Sequence, residues 1–335
     1  WIGGLFFLIF LILLFSNKTF NYKMTNLTFS GDSNFKSEES TKNIILRIFI
    51  IYSFLTFFIL VLLSISGIRL FNSLNLAMTL VSNGGFLPSD NLKEIINSNF
   101  QKIILVLSLT FSLLNFYLIF NIFNKKILLT QHKEDFYLLF LAFILIILIY
   151  FNNFDGLNVI ISVISSLANS GITLLKTENN LSLYFILITI IGGSLISNSS
   201  GIKLSRFYIL LKITASEIIK LISPNSVINK TIFNTDNKIT DEYVRISFLI
   251  FISFFLSLFI LSSLLVVDNI GFEKSFKLSI LTLTNTVNSE IFNMQNLNFT
   301  NLLTSSKISL ILFMIIGKIE LISIFLIFKK ILFKD

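Results

Sequence analysis

Whole stretches of this chain are apolar on every face. Residues 44–66, 102–123, 136–151, 181–211, 244–267 and 308–332 run on with few charges, and 5–15 is a shorter run of the same kind. A helix in a water-soluble protein keeps charge on its outer face. These have almost none to place there, so the solvent they suit is lipid. Of the 335 residues 54% are hydrophobic and only 13% are charged, half the roughly 25% of a soluble domain. That excludes a soluble enzyme and a disordered chain. With no cysteine, disulfide-stapled domains, zinc–thiolate sites and cysteine catalysis are excluded too. The formal net charge of +8 is assigned to cytoplasmic loops rather than to nucleic-acid binding. Enrichment in Phe, Ile, Asn and Lys fits AT-rich codons, so single residues of these types carry little weight. The chain opens on Trp1, inside an apolar run. It reads as a fragment whose first span lacks its beginning, a cleaved signal peptide being the weaker reading.

Between the spans lie shorter, semi-polar segments at 70–80, 157–168 and 276–286, rich in Ser, Thr and Asn. Each makes about three helical turns, too few to cross a bilayer. Each leads into a loop, at 81–87, 169–175 and 287–291. The order span, short helix, loop, span therefore occurs three times, which is an internal repeat. Taking Gly85, Gly171 and Asn288 as equivalent points, the repeats are 86 and 117 residues apart, the second stretched by a polar insert at 214–243. Periods of this length indicate parallel repeats about an axis normal to the membrane. The expected fold is an all-α membrane protein of helix–pore helix–loop–helix units around a central pore. Its expected parts are the closing helix of a truncated first repeat (1–16), a cytoplasmic linker (17–43), a second repeat (44–135), a third with a broken helix (136–213), the insert (214–243) and a fourth (244–335). With the loops placed outside, 18 Lys and Arg fall inside and 7 outside, Lys318 lying within the membrane. That imbalance supports the placement.

A short helix that stops inside a membrane leaves backbone polar groups at depth. They must be buried in protein or line a wet cavity. Several such loops around one axis offer a ring of carbonyl oxygens able to replace the water shell of an alkali cation. Glycine suits such loops because it tolerates positive φ and keeps the passage open. One such loop is also a common turn; recurrence after a short helix is what carries the reading.

The segment Met78-Thr-Leu-Val-Ser-Asn-Gly-Gly-Phe86 resembles the second pore loop of the Trk/Ktr/HKT potassium transporters, in particular their TrkH branch. Trp1-Ile-Gly-Gly4 resembles that branch's first closing helix. Ile191-Gly-Gly-Ser194, Ser199-Ser-Gly-Ile-Lys203 and Arg206 resemble its broken helix, and Gly317-Lys-Ile-Glu320 its last helix. The resemblance runs from Trp1 to about Phe333. It implies four pore-loop repeats around one potassium pathway in a multi-pass protein of the plasma membrane (the bacterial inner membrane). It also implies a homodimer in the lipid bilayer, a cytoplasmic nucleotide-binding regulatory subunit as partner, and no cofactor beyond the transported K⁺ or Na⁺. Carried over by position, the filter comprises Ser82, Asn83, Gly84 and Gly85, with Phe86 completing the second loop. In the third loop it comprises Ala168, Asn169, Ser170 and Gly171, and in the fourth Thr286, Val287 and Asn288, preceded by Asn285. The gate is Ser194, Leu195, Ile196, Ser197, Asn198, Ser199, Ser200 and Gly201, and the pore cation is Lys318. The chain departs from the family at Asn288, where Gly is usual, at Ile172, where Phe is usual, and at Leu195 and Ile196, where residues are smaller. The first filter is expected ahead of Trp1.

Lys318 stands ten residues into the last span, about 15 Å along it, near the middle of a core about 30 Å thick. It is read as an electrostatic barrier in the pore, the alternative being a pair with a carboxylate of another span. Glu320, two residues on, faces another side of the helix. The segment 194–201 is read as a gate that unwinds, against an unbroken helix whose Ser side chains re-bond the backbone. Lys203 and Arg206 read as snorkelling anchors at the inner interface, and His132, the one histidine, as a solvated loop residue. Asp90 and Glu94 either concentrate cations at the outer mouth or sit in a solvated turn. The expected function is K⁺ uptake, with Na⁺ as the other candidate, and no enzymatic step. The alternatives are a non-conducting paralogue acting as a structural or regulatory subunit, and a membrane-embedded enzyme, disfavoured because Glu320 alone lies well inside a span.

Overall fold

The computed structural model describes residues 1–16, 41–89, 92–116, 118–119, 132–151, 155–174, 179–226, 229–233, 238–286, 292 and 302–319. Its α-helices in chain order are α1 (Ile2–Ser16), α2 (Thr41–Ile65), α3 (Leu70–Ser82), α4 (Asn99–Leu113), α5 (Lys133–Tyr150), α6 (Gly156–Leu167), α7 (Asn179–Ile190), α8 (Leu204–Ile222), α9 (Asp241–Val267), α10 (Phe272–Leu283) and α11 (Thr304–Ile319). Among the described residues there is no named strand, only two isolated bridges, Ile191 with Ile202 and Thr231 with Lys238.

Within α2 and α9, 21 and 27 residues are long and apolar enough to cross a membrane, about 30 and 40 Å at 1.5 Å per residue. Their outward faces carry exposed Phe57, Ile50, Phe259 and Leu256. A belt of bare Phe and Ile of this size is costly in water and costless in hydrocarbon. Serines inside the helices return their hydroxyls to the preceding turn, as Ser108 does to the Ile104 carbonyl and Ser257 to that of Phe254, each at 2.8 Å. That is how polar residues sit in an apolar interior without an orphan donor.

Local signals set the helix ends. Ser98 opens α4 with a reciprocal cap: its hydroxyl accepts from the Gln101 amide at 3.2 Å, and Gln101 Oε1 accepts from the Ser98 amide at 3.1 Å. Gln101 Nε2 also donates to the Ser66 carbonyl (3.1 Å), tying the start of α4 to the end of α2. At the other end of the chain Asp268, just past α9, accepts from Ser305 (2.8 Å) and Ser306 at the head of α11. Those hydroxyls hold its carboxyl below the ordinary carboxylate range.

The repeats form a ring. α4 packs on α6, α7 on α10, and α1 on α3, so each closing helix leans on the next repeat's short helix. α11 meets α1, which completes the circuit. Between α8 and α9 the insert folds back. Phe233 is buried and stacks on Tyr208 of α8 at 4.3 Å, while Lys212 donates to the Thr231 carbonyl at 2.7 Å. The helix α8 runs on to Ile222, so the insert's first residues are helical rather than loop.

Candidate functional site

Each short helix ends in the core, and none starts there: α3 and α10 begin exposed and α6 begins half-buried. Phe71 and Phe272 are about 70% exposed, whereas Leu80, Leu167 and Leu283, near the other ends, are fully buried. The C-terminal end of a helix carries about half a negative charge. Three such ends are thus delivered into the protein interior, an arrangement that favours a cation there.

All three helices stop in the same way. Asn83, Asn169 and Asn285 take positive φ of 52°, 60° and 51°. The next amide then reaches back five residues: Gly84 to the Thr79 carbonyl at 2.9 Å, Ser170 to Ser165 at 3.0 Å, Thr286 to Leu281 at 2.9 Å. This is the left-handed helix stop, for which Asn is one of the few suitable residues other than Gly. Positive φ follows two residues later at Gly85 (68°) and Gly171 (70°). Ser82, Asn83, Gly85, Ala168, Asn169, Ser170, Gly171 and Thr286 are all buried, Gly84 partly so, and Phe86 is exposed.

The common stop corrects the register of the fourth loop. Aligned on their asparagines, the repeats are 86 and 116 residues apart. Position 287, not 288, then corresponds to Gly85 and Gly171, and Asn288 corresponds to Phe86 and Ile172. Both Val287 and Asn288 lie outside the described residues, as do Asp90 and Glu320. The departure from glycine is therefore Val287.

Between Ile190 and Leu204 the chain leaves the helix and makes a buried excursion. Its neck is closed by Gly192 donating to the Ile202 carbonyl (2.8 Å) and Ile202 to that of Ile190 (2.9 Å). Glycine is required at the neck: a Cβ on Gly192 would stand 2.1 Å from the Ser200 carbonyl oxygen, and Gly201 has φ of 75°. From this neck the segment reaches across the ring. Ser194 donates to Leu113 (3.3 Å), the Ile196 carbonyl accepts from Phe116 (2.9 Å), and Asn198 Nδ2 donates to Val81 at the end of α3 (2.7 Å). Lys318 Nζ donates to the Asn198 carbonyl and lies 5.2 Å from the Phe7 ring. Ser194, Leu195, Ile196, Ser197, Asn198, Ser199 and Ser200 are buried.

Two basic residues differ from expectation. Lys203 and Arg206 are not anchors at the interface but are each only 2% exposed. Lys203 Nζ is caged by the segment's own oxygens: the Ser199 carbonyl (2.6 Å) and hydroxyl (3.1 Å), and the Ser197 carbonyl (3.2 Å) and hydroxyl (3.3 Å). An ammonium with that many oxygen partners no longer needs water. His132 is likewise buried rather than solvated, its Nδ1 3.6 Å from Asp135 Oδ2. Asp135 and Glu134 are buried in the first turn of α5, and Asp135 Oδ1 accepts from the Asn115 amide at 2.9 Å. Sequence reasoning missed the Lys203 cage because it depends on the non-helical path of 197–203, which brings oxygens four and six residues away around the ammonium. It missed the acidic turn because its partner, the Asn115 amide, is 20 residues away. It also missed the recurring asparagine, although that signal was present at one offset from each short helix.

Pore-loop repeats arranged in a ring, with a non-helical crosspiece against them, define a helical membrane transporter fold. No family model matches the chain. Over its whole length it is 25% identical, across 354 aligned residues, to an uncharacterised cation transporter of Methanocaldococcus jannaschii, spanning 69% of that protein. The crystal structure of the potassium transporter TrkH from Vibrio parahaemolyticus matches it with a TM-score of 0.80 at 18% identity, over 97% of this chain and 69% of that one. These likenesses bear out the TrkH-like resemblance and the all-α membrane fold read from the sequence.

Proposed function

We propose that the protein conducts K⁺, with Na⁺ as the second candidate, down the membrane potential through a filter formed by its re-entrant loops. The observation that carries this is the threefold stop: three helix C-termini buried in one ring, each ended by a left-handed asparagine. Their negative ends favour a cation, and the turns that follow offer peptide oxygens of the kind that substitute for hydration. The M. jannaschii and V. parahaemolyticus likenesses support the same reading. In it, 194–201 is the gate, Lys318 holds it shut, and no covalent chemistry or cofactor is involved. The setting is a bacterial inner membrane, as a homodimer with a cytoplasmic nucleotide-binding subunit.

The test is flux in liposomes containing the protein. A potential of 100 mV contributes about 2.3 kcal/mol per charge, so K⁺ entry should follow the imposed voltage. If neither K⁺ nor Na⁺ enters, the reading is overturned. A non-conducting subunit is the second reading, favoured by the burial of Leu195 and Ile196 in the crosspiece and by Val287. At φ near +70°, as at Gly85 and Gly171, a β-branched side chain is a genuine outlier. Val287→Gly should therefore raise flux several-fold, whereas Asn288→Gly should leave it near the parent's. Equal effects from both would remove the register correction.

A further inference from the structure

Each of the three stop asparagines does something beyond its backbone turn. Asn169 Nδ2 donates to the Thr189 carbonyl of α7 at 2.7 Å. Asn285 Nδ2 donates to the Met314 carbonyl of α11 at 2.8 Å. Asn83 Nδ2 lies 3.5 Å from the Ser112 carbonyl of α4. In every case the acceptor is a backbone oxygen near the end of the same repeat's closing helix, three residues before position 115, 192 or 317. The Ser112 and Thr189 carbonyls lie in the last turn of their helices. The amides four residues on, Phe116 and Gly193, donate instead to the Ile196 carbonyl and the Ser199 hydroxyl, so the asparagine amide meets a carbonyl left over at a helix end. The same donor meets the same place three times, in repeats whose sequences otherwise differ.

The acceptor ends of these amides are treated differently. Asn83 Oδ1 and Asn169 Oδ1 are buried without a protein hydrogen-bond partner. Leaving a buried acceptor unmet is costly, so the feature common to all three sites is the donor. Aspartate has the same shape but no donor, and would set a charged oxygen against the carbonyl.

We propose that Asn83, Asn169 and Asn285 are positioning residues: side-chain tethers that hold each pore loop at a set distance from its closing helix and so set the spacing of the filter oxygens. This rests on the conduction reading for its functional consequence, but the tether itself does not. A filter discriminates between cations through the spacing and number of its oxygens. Slackening one tether should therefore blur cation preference before it abolishes passage. The three tethers are unequal, those of Asn169 and Asn285 being short and that of Asn83 at the limit of a hydrogen bond.

Asn169→Gly is the decisive variant, because glycine adopts the left-handed turn without strain while losing the side-chain amide, and Asn83→Gly carries the same gain in backbone freedom and so controls for it. Two readouts are taken on the protein in liposomes or detergent: the K⁺ to Na⁺ flux ratio, and hydrogen exchange of the peptide covering 163–174. The expected result is a flux ratio several-fold closer to one, with exchange in that peptide at least tenfold faster. Asn83→Gly should move both readouts less. Where Asn169→Gly fails to fold, Asn285→Gly takes its place and the same ordering against Asn83→Gly applies. Unchanged exchange with an unchanged ratio overturns the tether. Equal effects at 83 and 169 overturn its dependence on distance. If the parent carries no cation, the conduction reading fails, and the exchange measurement alone still decides whether the amide tethers the loop.

Discussion

Lys318→Met should open the pathway, raising K⁺ flux about tenfold or more over the parent. Lys318 Nζ is bonded to the Asn198 carbonyl, and the Asn198 side chain in turn holds Val81 at the end of α3. The crosspiece is thereby pinned from α11 on one side and α3 on the other. A hydrogen bond involving a charged group contributes about 1.5–3 kcal/mol, and each 1.4 kcal/mol is about a factor of ten in an equilibrium. Losing the bond should shift a closed crosspiece towards open by roughly 10- to 100-fold. Removing a fixed positive charge from a cation pathway acts in the same direction. Methionine is unbranched and only one atom shorter; it loses the ammonium that lies over the Phe7 ring, but its thioether packs well beside an aromatic ring, so packing is little disturbed. Voltage-driven flux in liposomes measures the effect. A folded Lys318→Met protein with parental or lower flux would mean that Lys318 does not hold the gate.

Gly317→Ala should be the most damaging single-methyl change in the last repeat. An added Cβ would stand 2.0 Å from the Leu283 carbonyl oxygen and 2.7 Å from its carbon. Both atoms belong to the backbone at the end of α10, so no flexible side chain can yield. Helices α10 and α11 must separate by more than an ångström, which breaks the contact that sets the fourth loop. Overpacking of this kind costs about 1–3 kcal/mol and occasionally more. Folded yield, thermal stability and flux should all fall sharply. Gly3→Ala is the control: nothing lies within 4 Å of its Cβ, and alanine is the better helix former. Equal stability of the two variants would show that the approach of α11 to Leu283 does not matter.

The short helices were legible before any coordinates because their composition contradicts their neighbours'. A segment such as 157–168, rich in Ser and too short to span, can only be re-entrant between two apolar runs. Lys318 was legible as a functional position because a charge in mid-span is costly wherever it is. The loop register was not, because the alignment leaned on glycine. Positive φ is the shared requirement, and Asn83, Asn169 and Asn285 meet it where the glycines are not repeated. Lys203 was misread because a lysine near an interface usually snorkels, and only the folded crosspiece shows four oxygens gathered around its ammonium.

The sequence by itself determined the solvent, the repeat and the helix lengths, since these follow from how many consecutive residues can leave water. It also set where the backbone must turn left-handed, a property of single residues. Only the tertiary structure decided which carbonyl each asparagine amide meets, what Lys318 grips, and that Lys203, Arg206 and His132 are interior. Those outcomes depend on atoms up to 120 residues apart, and short-range patterns of polarity carry no record of which distant groups will face one another.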